Sequence, residues 1–140
     1  LARRIPERHR RELIADATRL AHGFLRSPLF ETLRGGEIAA ELPFVYRLSV
    51  PGASPERYFV TGTIDLMVEL PDSVRVVDFK TDRLLRAGEY DAQLEVYRRA
   101  AKVLTGKPVR CTLFYLRAGR SVEVAGGYPL ERLVSRADAE

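Results

Sequence analysis

Between Glu37 and Lys80 the chain carries three β-rich runs whose separating breaks are too short for anything but hairpins. The runs are Glu37 to Val50, Tyr58 to Leu70 and Val74 to Lys80. Pro51-Gly52-Ala53-Ser54-Pro55 divides the first from the second, and Pro71-Asp72-Ser73 divides the second from the third. Both breaks are built from turn formers. A parallel return would need a crossover of about a dozen residues or more, so consecutive runs must pair antiparallel. A sheet of this kind needs apolar cover, and two flanking segments can supply it. Pro6 suits a first helical turn. Leu13, Ala17, Leu20, Ala21 and Phe24 then form one helical stripe, with Arg10, Arg11, Asp16 and Arg19 off it. Ser27-Pro28 should end that helix, and Gly35-Gly36 breaks the chain again. A second helix is expected over about Glu89 to Leu104, with Tyr90, Gln93, Leu94, Tyr97, Ala101 and Leu104 on one face. Gly106 and Pro108 stop it. A fourth strand, Val109 to Arg117, follows, then a turn at Ala118-Gly119-Arg120, a short edge strand to Val124, and a helical turn over Pro129 to Arg136. The order helix, three strands, helix, strand reads as α+β or mixed α/β, a central sheet flanked by helices.

At 140 residues the chain is expected to be one domain, residues 1–140. With 46% hydrophobic and 30% charged residues it can bury a core and is not disordered. The lone cysteine, Cys111, excludes an internal disulfide and a four-cysteine zinc or iron–sulfur site built from this chain. No apolar run approaches the roughly 18 residues of a membrane span. The charged start, Leu1-Ala2-Arg3-Arg4, is not expected to be a signal peptide, and the missing initiator Met suggests a piece of a longer chain. Net charge is +4, and all but three of the 23 basic residues are arginine. A basic chain suits a polyanion. The excess is spread along the sequence, however, and arginine bias also follows from a GC-rich genome, so charge alone does not decide for nucleic acid.

The third run ends Val76-Val77-Asp78-Phe79-Lys80-Thr81-Asp82. Strand side chains alternate, so Asp78 and Lys80 share a face and Phe79 enters the opposite layer. An apolar strand has no structural need for a carboxylate and an ammonium side by side at its end. In the second run, Val60, Ile64, Leu66 and Val68 are expected to form the core face and Asp65 the other. Counting from the turn sets Asp65 opposite Phe79, within a residue or two, and so near Asp78. Two carboxylates and a neighbouring carbonyl make an oxygen site for Mg²⁺ or Mn²⁺. A lysine beside such an ion can orient or deprotonate a water. Glu41 offers a third carboxylate on the first run. Gln93 and Tyr97, four apart on a helix, could together reach a phosphate or an unpaired base. Plainer readings exist for each residue. Asp78 and Lys80 could form an exposed ion pair worth under about 1 kcal/mol. Glu41 could be a solvated strand residue, Tyr90 and Tyr97 core aromatics, His22 a packed histidine and Cys111 a buried strand residue.

Taken as an ordered set, Gly62-Thr63-Ile64-Asp65, Val76 to Asp82 and Tyr90-Asp91-Ala92-Gln93-Leu94-Glu95-Val96-Tyr97 resemble the RecB-like nucleases of the PD-(D/E)xK superfamily. The likeness is greatest to the C-terminal nuclease domain of AddA-type helicase–nucleases. Leu104 to Val109, Leu113 to Leu116, and Ser27-Pro28-Leu29-Phe30 ahead of Glu41-Leu42-Pro43-Phe44 support it. The resemblance implies a restriction-endonuclease-like core and hydrolysis of DNA phosphodiesters in exonuclease mode, in double-strand-break repair and recombination. It implies Mg²⁺ or Mn²⁺ held by Asp65, Asp78 and the Phe79 carbonyl, with Lys80 positioning the attacking water and Glu41 in the outer metal shell or on a second ion. Gln93 and Tyr97 would be the family's Gln-x-x-x-Tyr motif, with Thr81 beside them in the DNA-binding set. It further implies a bacterial cytoplasmic setting, a helicase module on the same parent chain and a second helicase–nuclease subunit. The chain itself has no Gly-x-x-x-x-Gly-Lys-Ser/Thr loop, so no ATP site is expected in it. The sequence departs from the family pattern in two ways. The family places a Gly-x-x-x-His helix well before the Glu, whereas His22 follows Thr18 by four and precedes Glu41 by only 19 residues. The family histidine is therefore expected upstream of Leu1. The link from Lys80 to Tyr90 is also short.

Overall fold

The computed structural model describes residues 5–50, 52, 58–82 and 88–137, with side chains up to residue 134. Most of the turn at 51–55, and the short link at 83–87, lie outside them. The chain runs α1 (Glu7–Leu25), α2 (Pro28–Thr32), β1 (Glu37–Arg47), β2 (Phe59–Glu69), β3 (Val74–Lys80), α3 (Asp91–Thr105), β4 (Val109–Tyr115), β5 (Arg120–Val124) and α4 (Glu131–Ala137). The strands form one mixed sheet in the order β1-β2-β3-β4-β5. Pairing is antiparallel except between β3 and β4, which are parallel and joined through α3, as a crossover requires. No helix among the described residues is long and apolar enough to cross a membrane.

The sheet carries a hydrophobic layer on each face. On one, Ile64, Val74, Val76, Cys111, Leu113 and Tyr115 pack under Leu94, Tyr97, Ala100 and Ala101 of α3. On the other, Leu66, Val68, Val77 and Phe114 meet Phe24 and Leu33. Phe24 is the hub there, edge-on to Phe79 at 4.8 Å, Phe114 at 5.1 Å and Phe30 at 5.5 Å. Phe79 thus enters the layer opposite Asp78 and Lys80, as strand alternation requires.

Three expectations change. The apolar stripe of α1 covers the sheet only at its C-terminal end: Phe24 is buried, but Leu13 is 54% exposed. Ser27-Pro28 ends α1 and also starts α2. The Ser27 hydroxyl donates to Phe24 O at 2.6 Å and accepts from Phe30 N at 3.3 Å, with proline in the first turn where its missing N–H costs nothing. Leu104 is exposed and does not share the buried face of α3. That helix ends as anticipated, at Gly106 in the left-handed region (φ 70°), whose N–H reaches Lys102 O at 2.7 Å.

A further difference sits in β2. Ile64 faces α3, yet Leu66 and Val68 face α1, so the single core face expected of Ile64, Leu66 and Val68 does not exist. The alternation reverses at Asp65. Across the ladder, Ala40 pairs with Leu66 and Leu42 with Ile64 in unchanged register, and Glu41 between them has φ 52°. No residue is inserted; both strands turn over together at Glu41 and Asp65. A glutamate in the left-handed region is uncommon and costs of order 1 kcal/mol or more.

Candidate active site

The site forms where β2 and β3 part. Their ladder ends at Leu66↔Val77, so Asp65 comes level with Asp78, one residue from the position counted from the turn. Because Asp65 lies at the reversal, its side chain runs sideways along the sheet. Its Oδ2 accepts from Phe79 N at 2.9 Å, taking the place of the next ladder carbonyl. A strand residue's N–H and C=O face the same neighbour. The Phe79 carbonyl therefore faces the gap bordered by Asp65, while the Lys80 carbonyl faces β4 and accepts from Leu116 N at 2.9 Å.

Asp78 is 3% exposed, at the end of a strand whose Val74, Val76 and Val77 are fully buried. Lys80 Nζ lies 2.9 Å from Asp78 Oδ2, but outside hydrogen-bonding alignment, and that buried oxygen has no hydrogen-bond partner. Burial pushes the Asp78 carboxyl above its ordinary range; Lys80 opposes the rise and Asp65 adds to it. Lys80 donates to Gln93 Oε1 at 3.0 Å, and Gln93 Nε2 donates to the Tyr97 hydroxyl at 2.9 Å. Tyr97 is buried; burial chiefly, and the charges of Asp78 and Asp65 in addition, push its phenol upward, while the Gln93 bond opposes this. Its ring stands edge-on to Phe44 at 5.6 Å. Gly62 makes room for that pair, since a Cβ there would fall 2.9 Å from Phe44 Cζ. The glycine of Gly-x-x-Asp is thus needed for close approach.

Asp65, Asp78, Lys80, Gln93 and Tyr97 are therefore brought together, and Tyr97 is at once core aromatic and site residue. Glu41 stands opposite Asp65 on β1 but is exposed, and among the described residues no three His, Cys, Asp or Glu side chains gather as metal ligands. Thr81 is exposed and borders an apolar cavity of about 460 Å³ beneath α1, with Phe24, Phe79 and Leu116. His22 is exposed on α1, neither packed nor a ligand among the described residues. Cys111 is fully buried, and burial pushes its thiol up to about 12. Sequence reasoning missed Tyr90 and Asp82. The Tyr90 ring lies over Lys80 Nζ, 4.0 Å from the centroid, and its hydroxyl bonds Asp82 Oδ2. Tyr90 stands just before α3, and no local spacing in the sequence marks its meeting with Lys80.

The donor set fits a hard divalent cation. Two carboxylates and a carbonyl are its preferred oxygen ligands, and Mg²⁺ ordinarily keeps several waters as the remainder.

A buried aspartate and a half-buried lysine end a central strand of a mixed sheet and meet a Gln-Tyr helix on the same face, an arrangement of the nuclease class. The profile of the PD-(D/E)XK nuclease superfamily matches residues 1–138, and the chain belongs to that superfamily. It is 33% identical over 127 residues to an ATP-dependent helicase/nuclease subunit of Carboxydothermus hydrogenoformans, covering 81% of this chain and 11% of that one. It is 28% identical over 119 residues to the like-named protein of Listeria welshimeri, covering 71% and 10%. The chain thus spans about a tenth of the length of these curated relatives. The fold is similar to that of a solved structure from Eubacterium rectale, provisionally described as an exonuclease. There the TM-score is 0.52 at 16% identity, covering 90% of this chain and 50% of that one.

Proposed function

We propose that the chain is the divalent-metal-dependent DNA nuclease domain of a longer bacterial helicase–nuclease. The observation that carries this reading is the Asp78 carboxylate, buried at the end of β3 beside Lys80 and level with Asp65. Carboxylates desolvated beside a second carboxylate and a lysine are a frequent arrangement of functional sites. Asp65, Asp78 and the Phe79 carbonyl would hold Mg²⁺ or Mn²⁺. When bound, the ion supplies positive charge at the scissile phosphate and makes water more acidic. Lys80 then orients the attacking water and stabilises charge on the phosphate, an electrostatic role that matters most in the transition state. Gln93, aligned by Tyr97, holds the ammonium in place. Exonuclease action on a strand delivered by a motor, a role in double-strand-break repair in the cytoplasm, and a second partner protein complete the proposal. The relatives' name, a helicase/nuclease subunit, supports the motor and the partner; the exonuclease mode, the repair role and the cytoplasmic setting follow from the family resemblance.

The test is cleavage of linear DNA by the full-length parent in manganese, with Lys80→Ala as the comparison. Near wild-type cleavage by the variant overturns the assignment. Salt-sensitive binding without cleavage by the wild type would instead make this a DNA-binding module.

A further inference from the structure

Lys80 ends in a compact ammonium on four flexible carbons, with three N–H directions to satisfy. Asp78 Oδ2 lies at 2.9 Å, Gln93 Oε1 at 3.0 Å and the face of Tyr90 at 4.0 Å from centroid to Nζ. A cation within about 6 Å of an aromatic face is attracted to its negative quadrupole. We propose that Tyr90 is a positioning residue for Lys80: its ring, tethered by Asp82, closes the open side of the ammonium and holds it toward Asp78 and Gln93.

The tether makes this more than a contact. Asp82 follows Lys80 by two residues as the chain leaves β3, and Tyr90 immediately precedes α3, which carries Gln93. The Tyr90–Asp82 bond therefore joins the strand that bears Lys80 to the helix that bears its acceptor. The ring flank packs against the core layer under α3, which limits its rotation. The Asp82 carboxylate, by accepting from the Tyr90 phenol, pushes it up to about 12. With one face over Lys80, the ring is not free to stack on a base in this arrangement. Tyr90 should accordingly act on turnover and leave affinity for DNA alone.

This inference rests on the nuclease reading, so its test has one readout that needs no cleavage. Ring current from Tyr90 should move the Lys80 ε-methylene protons upfield, and Tyr90→Leu should abolish that shift in the NMR spectrum of this chain. In the full-length parent cutting linear DNA with manganese, Tyr90→Leu should lower kcat roughly 10- to 100-fold, with KM within about two-fold. Tyr90→Phe and Asp82→Ala should each cost about three- to five-fold, and the double variant no more than either, since both break one bond. Asp82→Asn keeps an acceptor and should restore most of what Asp82→Ala loses. Unchanged ε-methylene shifts in Tyr90→Leu overturn the proposal even if neither the wild type nor any variant cuts DNA. So does an effect confined to KM, which would make Tyr90 a stacking platform. Should Tyr90→Leu fail to fold, additive losses in the Tyr90→Phe and Asp82→Ala pair overturn it.

Discussion

Two clusters of buried charge border helix α3, and they are finished differently. On one side Glu95, buried, accepts from Arg98 Nε at 3.3 Å, Arg99 Nε at 3.0 Å and Gly127 N at 3.2 Å. Arg98 spends its other donors on Val109 O at 2.7 Å and Val124 O at 2.6 Å, and Arg99 reaches Glu131 and Tyr128 O. This cluster ties α3 to β4, β5 and the C-terminal segment. On the other side Asp78 is more deeply buried, with the Lys80 ammonium 2.9 Å from its Oδ2 and a second carboxylate, Asp65, level with it. The first cluster matches buried charge within the chain; the second sets two carboxylates against one lysine, an arrangement that suits a cation in the proposed function. The first cluster anchors α3, the helix that also carries Gln93 to Lys80 of β3, so fixing it also fixes one partner of the second.

Substitutions should separate the two clusters. The largest effect should come from Lys80→Ala in the full-length parent: about a thousand-fold loss of cleavage, roughly 4 kcal/mol of transition-state stabilisation, with the fold intact by circular dichroism. Glu95→Ala should do the converse. It removes the carboxylate that Arg98 and Arg99 share and should cost about 2 kcal/mol of stability in denaturant unfolding. Isosteric neutralisation then gives opposite signs. Asp78→Asn removes a charge that its surroundings disfavour, and without divalent metal should raise stability by about 1 kcal/mol. Glu95→Gln should lower it. The smallest effect is expected at Glu41. Glycine there removes the strain of φ 52° and should gain about 0.5 kcal/mol, with unfolding midpoints as the readout.

The meander, the crossover helix and the limits of β3 were legible because turn chemistry and strand alternation are local. Asp78, Lys80, Gln93 and Tyr97 could be placed for the same reason, each on a regular element with a fixed period. What escaped depended on tertiary events. The reversal at Glu41 and Asp65 leaves no mark in the hydrophobic pattern, because Ile64, Leu66 and Val68 read as one face until each meets its own layer. The exposed stripe of α1 looks the same in sequence whether or not the fold covers it. Tyr90 reads as one more apolar residue on a helical stripe; only the convergence of β3 and α3 sets its ring over Lys80.

That Asp78 is held ready for a divalent ion can be measured in the thermal response of this chain to manganese, with Asp78→Asn as the control. Binding only to the folded state stabilises by mass action, about 1.4 kcal/mol at ten times the dissociation constant. For a domain of this size that raises the melting temperature by roughly 4 °C. Millimolar manganese should produce such a rise in the wild type and none in Asp78→Asn. Equal responses in both proteins, or none in the wild type, would contradict a metal site at Asp78.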